Sequence, residues 1–330
     1  MRRLIPVIVL VVAMNGLAAA DEVVVYSARK DHLVKPLFDA FTTETGVPVR
    51  FVTDKEGPLL ERLKAEGPST PADMLITVDA GNLWQAAEAG VLSPVRSETL
   101  DRNVPANLRD PEGRWYGLSV RARTLVYNTG RIGPAELSTY EDLASPKWKG
   151  RLCLRTSKKV YNQSLVAGMI SRLGEDETER VVRGWVSNLA AEPFADDTKV
   201  LEALAVGLCD LGILNTYYYG SYMKDHPEAK LAIFWPSQAS SGVHVNVSGA
   251  GLTRHAKHPQ AAQRLLEWLS EPKAQAIFAS LNLEYPVTPG VPVDPAVASW
   301  GTFRQDPLNV SELGRLQPRA VMVMDRAGYR

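Results

Sequence analysis

The sequence predicts an α/β protein of two similar lobes around a cleft, each lobe a mainly parallel sheet flanked by helices. Three observations carry this. In the first hundred residues, β-branched runs alternate with amphipathic helical stretches, the pattern of a sheet covered on both faces. The alternation restarts at Arg151. Between the two series lie extended crossings, near Val120-Arg121 and near His244-Val245, on which two lobes can hinge. At 330 residues the chain also exceeds the roughly 250–300 at which single cores stop growing.

The first twenty residues read as a secretory signal, with Arg2 and Arg3 before an apolar run from Leu4 to Met14 and a small-residue cleavage site at Ala18-Ala19-Ala20. The run is too short for a membrane span. The expected product is exported and soluble and starts at Asp21. Removing the two arginines leaves 35 basic residues against 37 acidic ones. That balance argues against a nucleic-acid partner.

The first series opens with a strand over 21–27, a polar turn, and a helix with Leu33, Pro36, Leu37, Phe38 and Phe41 on its apolar side, ending near Gly46. Strands over 47–52 and 72–77 follow, with a helix around Leu59, Leu60 and Leu63 between them. Asp79 follows a strand and is expected either to line the cleft mouth or, the favoured reading, to cap the next helix, which Gly90 stops. Two extended segments flank Arg121-Ala122-Arg123, of which one arginine is expected to face the cleft; surface ion pairs are the plainer reading for both. The second series runs from a strand at 152–155 through helices over 162–173, 175–189 and 199–206. An apolar run, 208–214, with the composition of a strand buried on both faces, then leads into Asn215-Thr216-Tyr217-Tyr218-Tyr219-Gly220. Asn215 and Thr216 suit helix N-caps, so the tyrosines stand where a strand ends and a helix begins. That is the ligand-binding edge of an open α/β sheet. A strand followed by a flexible turn from His244 to Gly251, helices over 259–269 and 273–280, and a last helix ending near Asp325 complete the chain.

Cys153 and Cys209 both lie in short apolar strands. An oxidising compartment favours an intrachain disulfide between neighbouring strands; two buried thiols is the alternative. A thiolate metal site is disfavoured, with no CxxC and no clustered His.

Several stretches together resemble the periplasmic ferric-ion-binding proteins of ABC importers, notably the cyanobacterial-type ferric binders. They are Tyr26-Ser27-Ala28-Arg29, Ser69-Thr70-Pro71-Ala72-Asp73, Thr77-Val78-Asp79-Ala80-Gly81, Ser138-Thr139-Tyr140-Glu141-Asp142-Leu143, Lys147-Trp148-Lys149-Gly150, Val160-Tyr161-Asn162-Gln163-Ser164-Leu165, Asn215-Thr216-Tyr217-Tyr218 and His244-Val245-Asn246-Val247-Ser248-Gly249. The resemblance implies a type II solute-binding fold that captures Fe(III) in the cleft and hands it to an inner-membrane permease as a monomer, not an enzyme. It implies iron ligation by Tyr161, Tyr217 and Tyr218, with Tyr219 as a packing residue. Relatives with five protein ligands carry His-Tyr where this chain has Lys30-Asp31. The resemblance then implies a carbonate-like synergistic anion held by Arg121 with help from Lys30; Asp31 is a further candidate oxygen ligand, and His32 stands one position late for the family's His. The expected lobes are 21–120 with 245–294, and 121–244 with 295–330.

The residue chemistry agrees. Fe(III) is a hard cation that suits oxygen donors. A phenol is neutral near pH 7, but a trivalent ion stabilises phenolate, and three phenolates balance its charge. The chain has no Gly-x-Ser-x-Gly elbow and no His-Glu-x-x-His, which disfavours an exported hydrolase. The same fold carrying an oxyanion, polyamine, sugar or phosphonate is the nearer alternative, and the tyrosines suit sugars and polyamines less well.

Overall fold

The structure, a computed structural model, describes residues 22–330; the expected signal segment lies outside the described residues. The strands are β1 (Val23–Ser27), β2 (Val49–Thr53), β3 (Met74–Val78), β4 (Leu92–Ser93), β5 (Tyr116–Asn128), β6 (Leu152–Cys153), β7 (Leu211–Asn215), β8 (Leu231–Phe234), β9 (Val245–Thr253) and β10 (Tyr285–Pro286). The helices that matter for the site are α1 (Asp31–Thr45), α2 (Glu56–Glu66), α3 (Ala80–Glu88), α4 (Glu98–Asn103), α5 (Val160–Leu173), α6 (Glu175–Ser187), α7 (Asp197–Ala205), α8 (Thr216–Asp225), α9 (Pro259–Leu269) and α10 (Pro272–Asn282). The chain closes with α11 (Pro295–Ala298), α12 (Ser311–Arg315) and α13 (Gln317–Arg326).

Helix α1 shows how the sequence builds these elements. Leu33, Val34, Leu37, Phe38 and Phe41 recur at helical spacing and are buried. Gly46 stops the helix at φ 74°, and its N–H donates to the Thr42 carbonyl. Pro36, expected on the apolar side, faces solvent instead.

The sheet path is β2-β1-β3-β9-β5-β7-β6, with β10 and β8 on β5 and β4 on β9. The expected parallel pairing holds where helices return the chain: β1 with β2, β1 with β3, and β6 with β7. The crossing strands make the sheets mixed. Strand β5 leaves the first lobe and β9 returns to it, so the two run antiparallel, with Arg121 opposite Asn246 and Ala122 opposite Val245. The two extended segments expected around Arg121 are therefore one strand, buried along all thirteen residues.

The cores change hands along β5. Residues from Val23 to Ala122, with Val243 to Val287, form one hydrophobic cluster; Val310 and Leu313 join it. Leu125 to Ile213, with Leu316 to Tyr329, form another. A smaller cluster gathers Val126, Cys153, Val200, Leu204, Cys209 and Leu214, and Tyr218, Tyr219 and Tyr222 pack on it.

The stretch 244–251, expected as a strand followed by a flexible turn, is strand from Val245 without a break, and β9 continues to Thr253. Its glycines serve close packing: a Cβ on Gly249 would lie 2.5 Å from the Tyr116 carbonyl oxygen. The cysteines form a disulfide, Cys153–Cys209, joining β6 to the approach of β7. It closes a loop of 56 residues, and the chain-entropy relation then gives a stabilisation of roughly 4 kcal/mol. Unfolding in denaturant with and without reductant, or of the Cys153→Ala/Cys209→Ala variant, is expected to show a loss of about that size; unchanged midpoints would contradict it.

His244 sits at the second crossing, 2% exposed, and its carbonyl accepts from the Arg123 N–H at 3.0 Å. Burial, followed by Arg172, Arg123 and Arg121, pushes its pKa down from 6.5 to about 3. Between those values the unfolded chain binds a proton that the folded chain refuses, so stability is full above pH 6.5 and falls as pH drops toward 3. His244→Gln should flatten the acid limb of a stability–pH curve by up to about 1.4 kcal/mol per pH unit. Equal slopes for the two proteins would refute this.

Candidate functional site

Strand β7 is buried on both faces and ends at Asn215, and α8 starts at Thr216. This places Tyr217 and Tyr218 in the first turn of α8, where unpaired N–H groups and the helix dipole favour negative charge. Asn215 stands at the N-cap, but its side chain makes no capping bond. Its Oδ1 accepts from Arg123 Nη1 at 3.1 Å and its Nδ2 donates to Tyr217 Oη at 3.3 Å. The Tyr217 and Tyr218 rings lie 4.5 Å apart. Tyr219 faces away: its hydroxyl donates to the Leu231 carbonyl at 3.3 Å and its ring meets Trp300 edge-on.

Tyr161 comes from an earlier helix of the same β-α series, α5. Read from the sequence as a loop residue, it is in the first turn of α5, which begins at Val160, two residues earlier than expected. Tyr161, Tyr217 and Tyr218 line one cavity of about 540 Å³ between the two series. Burial raises the pKa of all three, that of Tyr217 furthest because Tyr161 and Tyr218 add to the effect. Arg121 opposes the shift at Tyr161 and Arg155 at Tyr218. Without a cation, all three phenols are therefore neutral at pH 7.

Cations surround them. Around the Tyr161 ring centroid, Lys159 Nζ lies at 5.1 Å, Arg155 Cζ at 5.4 Å, Arg121 Cζ at 5.8 Å and Arg123 Cζ at 6.0 Å. The surface ion pairs expected of Arg121 and Arg123 are not found, since each is 2% exposed. Residues two apart on a strand share a face. Both arginines accordingly border one small internal void with Tyr161, but only Arg121 reaches the cleft. Arg123 is spent on structure, donating to Asp197 at 3.0 Å, Asn162 at 2.9 Å and the Ile213 carbonyl at 3.3 Å. Arg121 donates to Ser248 Oγ at 3.0 Å, and its buried Nη2 has no partner.

The first-lobe candidates separate. Lys30 and His32 are exposed and line the cavity. Asp31 does not; its carboxylate accepts from the Thr53 hydroxyl outside the cleft. Asp79 is fully buried, caps α3 through Gly81 N–H at 2.9 Å, and accepts from Ser164 Oγ at 2.6 Å and Asn246 Nδ2 at 2.9 Å. With those donors its oxygens are committed.

Sequence reasoning missed the role of Arg29, quoted there only within a motif. It lies just past β1, 3% exposed, on the cavity wall. Its Nη1 donates to Ser248 Oγ at 2.7 Å and Glu284 Oε2 at 2.9 Å, while Nε and Nη2 are buried without partners. The signal was its place at the C-terminal end of a parallel strand. Arg29 and Arg121 thus share Ser248 Oγ, and each keeps buried guanidinium nitrogen without a partner. The described residues hold no cluster of three or more His, Cys, Asp or Glu that could hold a metal ion.

Residues 69–305 fit the family model for bacterial extracellular solute-binding proteins. The chain is 44% identical over 316 residues to iron uptake protein A1 of Synechocystis, covering 94% of this chain and 88% of that one. The Trichodesmium protein IdiA/FutA, solved with iron and citrate ligands, superposes with a TM-score of 0.91 at 43% identity, over 94% of this chain and all of that one. A Bordetella ferric binding protein superposes at 0.87 and 40% identity, over 94% of this chain and 99% of that one. A two-lobed α/β fold with a phenol-lined cleft, matched along nearly its whole described length, makes this chain a member of the bacterial extracellular solute-binding protein family, beside relatives named for iron uptake and ferric-ion binding.

Proposed function

We propose that this protein captures Fe(III) in its cleft through the phenolates of Tyr161, Tyr217 and Tyr218 and carries it through the periplasm to an inner-membrane permease. It acts as a monomeric carrier rather than an enzyme. The carrying observation is the convergence of three phenols, Tyr161 buried and Tyr217 and Tyr218 half-buried, from two helix N-termini onto one cavity, with cations around Tyr161. A buried phenol has little reason to ionise on its own. A hard trivalent cation supplies that reason, and oxygen donors are what it prefers.

A synergistic anion completes the sphere in this reading. Arg121 and Arg29 hold it through the guanidinium N–H groups that have no protein partner. Lys30 adds charge at the rim, and Asp31 is left out because its carboxylate lies elsewhere. The lobes divide at the crossing strands. Residues 21–120 and 245–294 form the first and 121–244 the second; 303–313 is assigned to the first lobe on the packing of Phe303, Leu308, Val310 and Leu313. The remainder of 295–330 goes with the second, where Leu316, Ala320 and Val323 pack.

Adding ferric citrate to the purified protein should produce visible phenolate-to-iron charge-transfer colour. Tyr161→Phe and Tyr217→Phe should each lower affinity by more than about 10- to 100-fold, the scale set by losing even an outer-shell partner of a metal. Tyr219→Phe should leave colour and affinity near wild type. A colourless wild-type protein that retains no iron would sink the proposal.

The pH dependence follows from the same phenols. They are protonated in the metal-free site, so loading releases up to three protons. Affinity therefore rises with pH, and acid drives iron off. Titrating colour against pH under a fixed competing chelator tests this; affinity that stays flat down to pH 4 would rule out phenolate ligation.

A further inference from the structure

One ion pair spans the cleft directly beside Tyr161. Glu56 opens α2, which packs into the first core through Leu59 and Leu63. Lys159 is the N-cap of α5, which packs into the second through Leu165 and Val166. Lys159 Nζ reaches Glu56 Oε1 at 2.9 Å, across 103 positions of sequence. Both side chains line the cavity. They are 29% and 21% exposed, in contrast to the buried pairs Arg29–Glu284 and Arg123–Asp197, each held between elements of a single core.

We propose that Glu56 and Lys159 form an electrostatic latch that holds the lobes together over the cleft and sets how fast the cargo leaves. The release arm of this idea rests on the ferric reading above; the latch itself does not. Partial exposure is central. A fully buried pair would be costly to part, whereas a half-wet pair exchanges its partner for water at little cost. It is also open to screening by salt. The latch joins the first helical turn of α2 to the turn that carries Tyr161, so closing the lobes and positioning that phenol are one movement.

The test uses the full mature protein with Glu56→Gln, Lys159→Gln and the charge-swapped Glu56→Lys/Lys159→Glu. Small-angle scattering of the metal-free proteins should show a larger radius of gyration for both single variants and recovery in the swap. After loading with ferric citrate, loss of colour to excess chelator should run roughly two- to fivefold faster in each single variant. The swap should return toward the wild-type rate. Added salt should speed release from wild type more than from either single variant.

A mere charge effect on Tyr161 gives a different pattern. Losing the negative Glu56 would favour the phenolate and slow release, while losing the positive Lys159 would hasten it. Opposite signs for the two variants, or scattering unchanged in both, would overturn the latch. A wild-type protein that takes up no iron would count against the ferric reading alone, and scattering would still decide the latch.

Discussion

Two arginines on one face of a strand that passes between cores impose the constraint on which this molecule is built. A guanidinium cannot be deprotonated in a protein, so each must find partners once it is buried. Arg123 finds them in Asp197, Asn162 and Asn215 and so ties β5, α5, α7 and β7 into one frame. Asn215 is part of that frame and also touches Tyr217. The position of the tyrosine pair is thus anchored to a buried charge rather than to the first turn of α8 alone.

Arg121, two residues earlier, is left incompletely satisfied at the cleft, as is Arg29 beside it. An unpaired buried N–H group is expensive, and such groups persist where a ligand completes them. The phenols are the complementary half. Burial holds them neutral; in the proposed role, Arg121 at Tyr161 and Arg155 at Tyr218 lower the cost of ionising them for a metal. Neither half makes chemical sense without the other.

The division of labour between the lobes follows from where the rigid parts lie. All three phenols sit on helices packed against the second and third clusters, and the disulfide braces the short pairing of β6 with β7 beneath them. The first lobe contributes Arg29, Lys30, His32 and Glu56 to the opposite wall. In the proposed role, the second lobe grips the ion and the first closes over it with charge. The antiparallel ribbon of β5 and β9, packed closely at Gly249, connects the two cores, and in the proposed role closure turns about it.

The sequence by itself determined the two β-α series, both crossings, the place of the tyrosines at a strand end, and Asp79 as a cap. These are local matters of periodicity, β-branching and N-cap chemistry, and the chain writes them in neighbouring residues. The candidate ligands Tyr161, Tyr217 and Tyr218 were legible through a family pattern; their residue types alone would equally suit packing. Tertiary structure decided the rest. It made the sheets mixed, because the partners of β5 and β9 are distant in sequence. It continued β9 through a glycine-rich stretch that reads locally as a turn, because the carbonyl of Tyr116 leaves no room for a side chain. It buried Arg121 and Arg123, brought Arg29 to Ser248, removed Asp31 from the cleft and set Glu56 against Lys159. Each of these depends on which groups meet after the chain has crossed between lobes, and no local preference of a residue encodes that meeting.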